Sequence, residues 1–106
     1  AHAEIRLDQL GLSLRALLFI QMSEHDKINL NRFITDILHF GEVQAAWMIT
    51  GRFDAVVEVV ARDTNHLHGF VVEKFSSRDE VHRIETSIIF EGGKQYDMSG
   101  ALELLN

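Results

Sequence analysis

The sequence has no cysteine and no proline. Without cysteine it has neither a disulfide framework nor a thiolate metal site, and a cysteine nucleophile is excluded as well. It also lacks a long apolar stretch, since the run at residues 16–20 is far below the roughly 20 residues that a membrane-spanning helix needs. We therefore expect a cytoplasmic protein with no membrane partner.

Positive charge is in deficit, because 16 Asp and Glu residues face 10 Lys and Arg residues and give a net charge of −6. Nucleic-acid binding depends mainly on Lys and Arg side chains that neutralise phosphates, so the chain on its own is a poor candidate for binding DNA or RNA. Its 106 residues suffice for one domain, and the hydrophobic fraction of 46% is typical of a globular protein.

Glycines divide the chain into segments whose hydrophobic period differs. Alternating apolar residues predict strands at residues 15–22, 43–50, 55–62 and 81–90. In the second strand, alternation places four apolar side chains on one side: Val43, Ala45, Trp47 and Ile49. A further strand is expected at residues 4–7.

Helical spacing of apolar residues predicts two helices between these strands. The first contains Leu30, Phe33, Ile34, Ile37 and Leu38, follows a polar connection at residues 23–27, and has Asn29 as its N-cap and Gly41 as its stop. The second contains Leu67, Phe70, Val71 and Phe75, with Asp63 or Thr64 as its cap. The resulting order, β-α-β-β-α-β, predicts an α+β fold.

Two helices cover only one face of a four-stranded sheet. The first strand is apolar on both faces, with Leu17 and Phe19 on the side opposite Leu18 and Ile20. A monomer would therefore expose a wide apolar surface, which soluble monomers seldom do. We expect a second copy to pack sheet to sheet, which gives a homodimer.

The stretch VQAAWMITGRFDAVVEV at residues 43–59 combines a threonine-glycine pair, an aspartate and alternating valines. In this combination it resembles the Lrp/AsnC family of regulators, also called feast/famine regulators. The resemblance continues through RDT at residues 62–64, through Leu67, Phe70, Lys74 and Phe75, and through VHRIET at residues 81–86. The opening stretches EIRLD (residues 4–8) and LGL (residues 10–12) resemble the linker strand of such proteins.

The resemblance implies a ferredoxin-like βαββαβ sandwich, with two helices on one face of a four-stranded antiparallel sheet and dimerisation through the other face. It divides the chain into a linker with an extra strand (residues 1–14), an effector-binding and oligomerisation domain (15–91) and a C-terminal tail (92–106). It also implies a homodimer that assembles to a tetramer or octamer. DNA would be bound only through a helix-turn-helix domain preceding this chain, and the start at Ala1 fits such a fragment.

The best candidate for effector contact is the hairpin formed by Thr50, Gly51, Arg52, Phe53 and Asp54. A glycine turn exposes backbone N–H groups that can hold a carboxylate, and an aspartate can accept from an ammonium group. These are the two charged groups of a free amino acid, which the resemblance implies as effector. The alternative is that glycine and aspartate are present because tight turns need them.

The resemblance adds Arg83, Glu85 and Thr86, which match positions that approach the site from a neighbouring subunit in relatives. The alternative is a solvated polar face of the last strand. The sequence also departs from the family pattern, because Ala55 stands where relatives often have an aromatic residue, while Phe53 supplies an aromatic nearby. The identity of the effector therefore stays open.

Gly69 lies inside the second predicted helix, where it costs up to about 1 kcal/mol relative to alanine. It is either a tolerated imperfection or a point of close approach by a neighbouring subunit or a ligand. The six histidines do not have the spacing of a metal site, since His66 and His68 fall on different sides of a helix. We expect no metal, no cofactor, and histidines that lie on the surface or cap helices.

No phosphate-binding loop, nucleophile elbow or dinucleotide fingerprint is present, so we expect no catalytic residue. The alternative to a regulator is a small dimeric enzyme of the same fold, such as a cofactor-free monooxygenase or an isomerase, with His66, His82 or Glu58 as acid–base groups. A deep apolar cavity between the sheet and its helices, lined by a histidine, would favour that alternative. A third possibility is an oligomerisation domain whose effector site is vestigial.

Overall fold

A computed structural model of the chain describes residues 11–90, 92–93 and 97–105. Its four strands are β1 (Leu14–Met22), β2 (Val43–Met48), β3 (Ala55–Ala61) and β4 (Val81–Ile89), and its α-helices are α1 (Leu30–Ile37), α2 (Thr64–Val71) and α3 (Ser99–Glu103). The strands form one antiparallel sheet in the order β2-β3-β1-β4. The predicted βαββαβ order is confirmed, and the strand expected at residues 4–7 lies outside the described residues.

The hydrophobic core lies between α1, α2 and one face of the sheet. Alternate residues of β1 and β3 point into it, because successive side chains of a strand point to opposite faces. These are Ala16, Leu18, Ile20 and Met22 in β1 and Ala55, Val57, Val59 and Ala61 in β3, all buried. The helices contribute Phe33, Ile37, Leu67 and Phe70 to the same core, so both helices cover one face as predicted.

The first helix differs from its prediction at both ends. A 3₁₀ helix at Glu24–Asn29 occupies most of the expected polar connection and leads directly into α1. Asn29 occupies the N-cap position of α1 as predicted, but its side chain makes no capping hydrogen bond. The helix ends at Ile37, before Gly41, where the Leu38 N–H donates to the carbonyl oxygen of Ile34.

The second helix begins as predicted. The Asp63 carboxylate accepts a hydrogen bond from the backbone N–H of His66 at 2.8 Å, which satisfies one of the free donors at the start of α2. The chain then continues as a π-helical turn at Val72–Ser76, and this turn places Phe75 in the core.

The Gly69→Ala variant should be more stable than the wild type. A Cβ added at Gly69 meets nothing within 4 Å, so the substitution removes the conformational cost of glycine in a helix without a clash. We expect a gain of about 0.5–1 kcal/mol in the free energy of unfolding, measured by urea denaturation. If the variant is instead impaired in self-association at equal or higher stability, a neighbouring subunit lies against Gly69.

The second strand contains a bulge that the alternation rule misses. Val43 is paired with Val59 on the core side, whereas Ala45 is paired with Glu58 on the opposite side, so one extra residue, Gln44, lies between them. The prediction that Val43 shares a face with Ala45 and Trp47 is therefore wrong. The bulge lets Val43 enter the core while Trp47 faces away from it.

The sheet face opposite the helices carries a continuous apolar strip, which we call the open face. Across neighbouring strands, Phe19 is paired with Val56, and Val56 with Trp47. Trp47 is 49% exposed, and Leu17 and Phe19 are half-buried. An ion pair between Arg15 and Glu58 at 3.0 Å also lies on this face. The apolar strip supports the prediction of a sheet-to-sheet dimer, which stays a prediction.

The last described part of the C-terminal tail, residues 97–105, contains the short helix α3. The backbone N–H of Ser99 donates to the Asp97 carboxylate at 2.9 Å, and the hydrogen bonds from Ser99 lower the pKa of Asp97 below its usual value. Met98, Leu102 and Leu105 are all exposed on this segment. Among the residues that the structure describes, no helix is long and apolar enough to cross a membrane.

Candidate functional site

Asp54 makes three hydrogen bonds, of which two hold the hairpin between β2 and β3 to the end of β1 and one closes the hairpin. Its backbone N–H donates to the Ile20 carbonyl oxygen at 2.8 Å, and its carbonyl oxygen accepts from the Ile49 N–H at 3.0 Å. Its carboxylate atom Oδ2 accepts from the backbone N–H of Met22 at 2.7 Å. Asp54, a predicted ligand contact, thus also joins the start of β3 to the end of β1 through hydrogen bonds.

The tip of the hairpin is exposed at Thr50, Gly51 and Arg52. Gly51 has a φ of 108°, a backbone conformation that other residues rarely adopt, so glycine is required for this turn. Within the described part of the chain, no hydrogen bond engages the backbone N–H groups of Gly51, Arg52 or Phe53. These donors and the Arg52 guanidinium are available to a carboxylate.

Phe53 anchors the hairpin on the open face. Its ring lies 5.7 Å from that of Phe19, centroid to centroid, in a tilted arrangement typical of aromatic pairs. Phe19 is paired in register with Glu85 of β4, so Phe53 and Glu85 lie on either side of it. The sequence identifies Phe19 only as a strand residue. Its position between Phe53 and Glu85 depends on the register of β1 against β3 and β4, which the sequence alone does not give.

Arg83 and Glu85 form an ion pair with each other at 3.3 Å, with Arg83 exposed and Glu85 half-buried. Arg83 is paired with Gln21 in β1, so it lies at the same end of the sheet as Asp54. The two residues are two strands apart, about 10 Å at the usual strand spacing. The structure therefore brings seven of the eight predicted residues to one end of the sheet, with Arg83 and Glu85 on its open face.

Thr86 lies apart from this group. It is paired with the buried Leu18, which places it on the helix side of β4. There it lines a shallow groove of about 190 Å³ between α2 and β4, here called the α2–β4 groove. The groove is lined by Thr64, Leu67, His68, Val71, Thr86 and Ile88. Within one chain, Thr86 and the hairpin cannot contact the same small ligand.

The α2–β4 groove occupies the position that the enzyme alternative requires, between the sheet and a helix, and one histidine lines it. It is open and shallow, and its 190 Å³ is below the roughly 300–1,000 Å³ of typical ligand pockets. His68 is exposed, and no carboxylate of the described residues lines the groove beside it. The groove therefore lacks the depth and the paired acid–base groups of an enclosed catalytic site.

Of the other acid–base candidates, His66 and Glu58 have structural partners, whereas His82 is exposed on β4. His66 uses both ring nitrogens, because Nδ1 accepts from the Arg62 N–H at 2.9 Å and Nε2 lies 3.0 Å from the Glu42 carboxylate. This assigns the proton to Nε2 and makes His66 part of the connection between β3 and α2, in agreement with the expected capping role. Glu58 is paired with Arg15 on the opposite face of the sheet. Among the described residues, no three metal-ligating side chains are grouped.

Comparison with known proteins identifies a family. The family model described as Lrp/AsnC ligand binding domain matches residues 15–99. The transcriptional regulator AldR of Mycolicibacterium smegmatis is 32% identical over 90 residues, covering 85% of this chain and 53% of AldR. The transcriptional regulator AzlB of Bacillus subtilis is 26% identical over 87 residues, covering 82% of this chain and 55% of AzlB.

Solved structures share the fold. The AsnC structure from E. coli superposes with a TM-score of 0.79 at 20% identity, over 92% of this chain and 64% of that chain. A transcriptional regulator from Neisseria meningitidis, solved as a complex with L-Met, superposes with a TM-score of 0.81 at 18% identity, over 95% of this chain and 67% of that chain. This chain spans about half the length of the curated relatives it matches.

Proposed function

Because this chain belongs to the Lrp/AsnC ligand-binding domain family, we propose that it is the effector-sensing and oligomerisation domain of a transcriptional regulator. The match to a ligand-binding family model over residues 15–99 carries the proposal. Curated relatives that are transcriptional regulators favour this function over the enzymatic alternative. In this proposal the parent protein binds DNA through a helix-turn-helix segment outside these residues, which agrees with the acidic charge of this chain. The regulator acts in the cytoplasm.

The proposed effector is an amino acid held at the hairpin. Its carboxylate binds the backbone N–H groups of residues 51–53 and the Arg52 side chain, while its ammonium group binds the Asp54 carboxylate beside the hydrogen bond from Met22. The complex of the Neisseria regulator with L-Met supports this ligand class. Phe53 and Phe19 provide an apolar surface for the ligand side chain.

The effector acts through assembly in this proposal. Copies pair through the open face, and the β4 residues on that face, Arg83 and Glu85, approach the effector of a neighbouring subunit. A ligand between subunits stabilises the assembly state that binds it better and so shifts the balance between dimers and larger assemblies. Control of transcription follows if those assemblies present DNA-binding segments differently.

Thermal unfolding of the chain with each common amino acid at millimolar concentration tests the effector class. An amino acid present at ten times its dissociation constant should add about 1.4 kcal/mol to the free energy of unfolding, which raises the melting temperature by several degrees. If no amino acid raises the melting temperature, the amino-acid effector is contradicted, and the domain would be an oligomerisation unit with a vestigial site.

The Asp54→Ala variant should abolish the stabilisation by the amino acid that stabilises the wild type. It also leaves the Met22 N–H without its acceptor, so we expect a loss of about 1–3 kcal/mol of stability without ligand. The matched control is Asp63→Ala, because Asp63 likewise accepts one backbone N–H and costs about 0.5–2 kcal/mol when removed. Asp63→Ala should keep the full ligand response, and a full response in Asp54→Ala would remove Asp54 from the site.

A further inference from the structure

We propose that the C-terminal tail of one copy docks in the α2–β4 groove of a second copy. The described part of the tail comprises residues 97–105, and the side chains that would enter the groove are Leu102 of α3 and its neighbours Met98 and Leu105. This contact goes beyond the proposed function, since it involves neither the hairpin nor the open face. It provides a second interface between copies of this chain.

The groove has the size and chemistry for aliphatic side chains. Leu67, Val71 and Ile88 form its apolar surface, while Thr64, His68 and Thr86 supply the polar groups. A cavity of about 150 Å³ holds one small hydrocarbon molecule, so 190 Å³ accommodates one or two aliphatic side chains. Ile88 and Thr86 remain exposed, so the described residues leave the groove open.

The tail has the complementary surface. Met98, Leu102 and Leu105 are spaced by four and three residues, which places them on one side of a helical segment. All three are exposed, and Leu105 is 82% exposed. Residues 97–105 also carry Asp97 and Glu103 without a basic residue, and among the described residues that line the groove His68 is the titratable one.

Geometry favours a partner's groove over the tail's own groove. In the structure, the tail and the groove of one chain do not cover each other. Exchange between two copies fills both grooves symmetrically, which gives a closed pair. Because the groove is on the helix side of the sheet, this pair and the open-face dimer can coexist.

Cysteine pairing between copies tests the contact, because the natural chain has no cysteine to interfere. Four single-cysteine variants of the chain are prepared: Leu102→Cys in the tail, His68→Cys and Ile88→Cys on the two walls of the groove, and Ile28→Cys as a control. Ile28 is 89% exposed and lies outside the groove. The tail variant carries a tag, is mixed with each of the others, and is oxidised mildly. The tagged heterodimer is then quantified by gel electrophoresis.

We expect several-fold more heterodimer with His68→Cys or Ile88→Cys than with the Ile28→Cys control. Equal yields at all three positions would overturn the proposal. The double variant with Leu102→Cys and His68→Cys in one chain distinguishes docking of a partner's tail from docking of the chain's own tail. It should give linked dimers, and a disulfide confined to one chain would show that the tail fills its own groove and would equally overturn the proposal.

The stretch that precedes the described residues is a further occupant that the same assay detects. If tagged Ile5→Cys couples to His68→Cys and Ile88→Cys while tagged Leu102→Cys does not, the groove holds that stretch and the proposal is wrong. None of these readouts depends on an amino acid effector or on the open-face dimer. Failure of the tail contact is therefore distinguishable from failure of the proposed function.

Discussion

Replacing Trp47 with aspartate should separate the open-face dimer into monomers. Trp47 is 49% exposed in the single chain, so its loss leaves the core intact. A buried tryptophan at an interface commonly contributes about 2–4 kcal/mol, and in a symmetric dimer the change occurs twice. We expect the dissociation constant of the dimer to rise at least about a hundredfold, measured by sedimentation equilibrium.

The matched control for this substitution is Ile28→Asp. Ile28 is 89% exposed and belongs to the 3₁₀ helix before α1, away from the open face, so it introduces the same charge without touching the predicted interface. The control should dimerise like the wild type. If both variants dimerise with the wild-type dissociation constant, copies of the chain do not meet through the strip that contains Trp47.

The Phe75→Ala variant should lose about 3–5 kcal/mol of stability, a large part of the roughly 5–15 kcal/mol of a typical domain. Phe75 is fully buried, and its ring lies 5.4 Å from that of Phe70, 6.2 Å from that of Phe40 and 6.3 Å from that of Phe33. Truncation therefore leaves a cavity where α1, α2 and the π-helical turn meet. Urea denaturation measures the loss.

Phe90→Ala is the control for this loss, because it deletes the same atoms from a side chain that is 96% exposed at the end of β4. Its free energy of unfolding should change by less than about 0.5 kcal/mol. If the free energy of unfolding of Phe75→Ala also changes by only a small amount, the neighbouring rings close the cavity. The four-ring cluster would then be less important to the stability of the domain than its burial indicates.

The layers of the fold could be predicted from the sequence because two simple periods dominate it. Alternation in β1 and β3 reports one buried face, and the spacing of Leu67 and Phe70 reports the inner side of α2. The sequence limited the cap of α2 to Asp63 or Thr64, and the structure shows Asp63, because capping depends on residues within one turn. Such local rules need no knowledge of the rest of the chain.

The features that could not be predicted depend on pairing between distant segments. The bulge at Gln44 is defined by which residue of β3 faces which residue of β2, and alternation within β2 carries no trace of it. The hydrogen bond from Met22 to Asp54 joins residues 32 positions apart. The same applies to the candidate site, where the sequence identified the hairpin residues but grouped Thr86 with them, although its strand turns that side chain to the helix side.

The bulge in β2 has a consequence for how this domain tolerates changes in length. Because of the extra residue, Val43 and Trp47 lie on opposite faces although they are four residues apart. Deleting Gln44 would leave them three residues apart and restore strict alternation, so both side chains would keep their present faces. This edge strand should therefore tolerate a deletion at the bulge far better than β3 would tolerate one at a regular position, where every following side chain would change face.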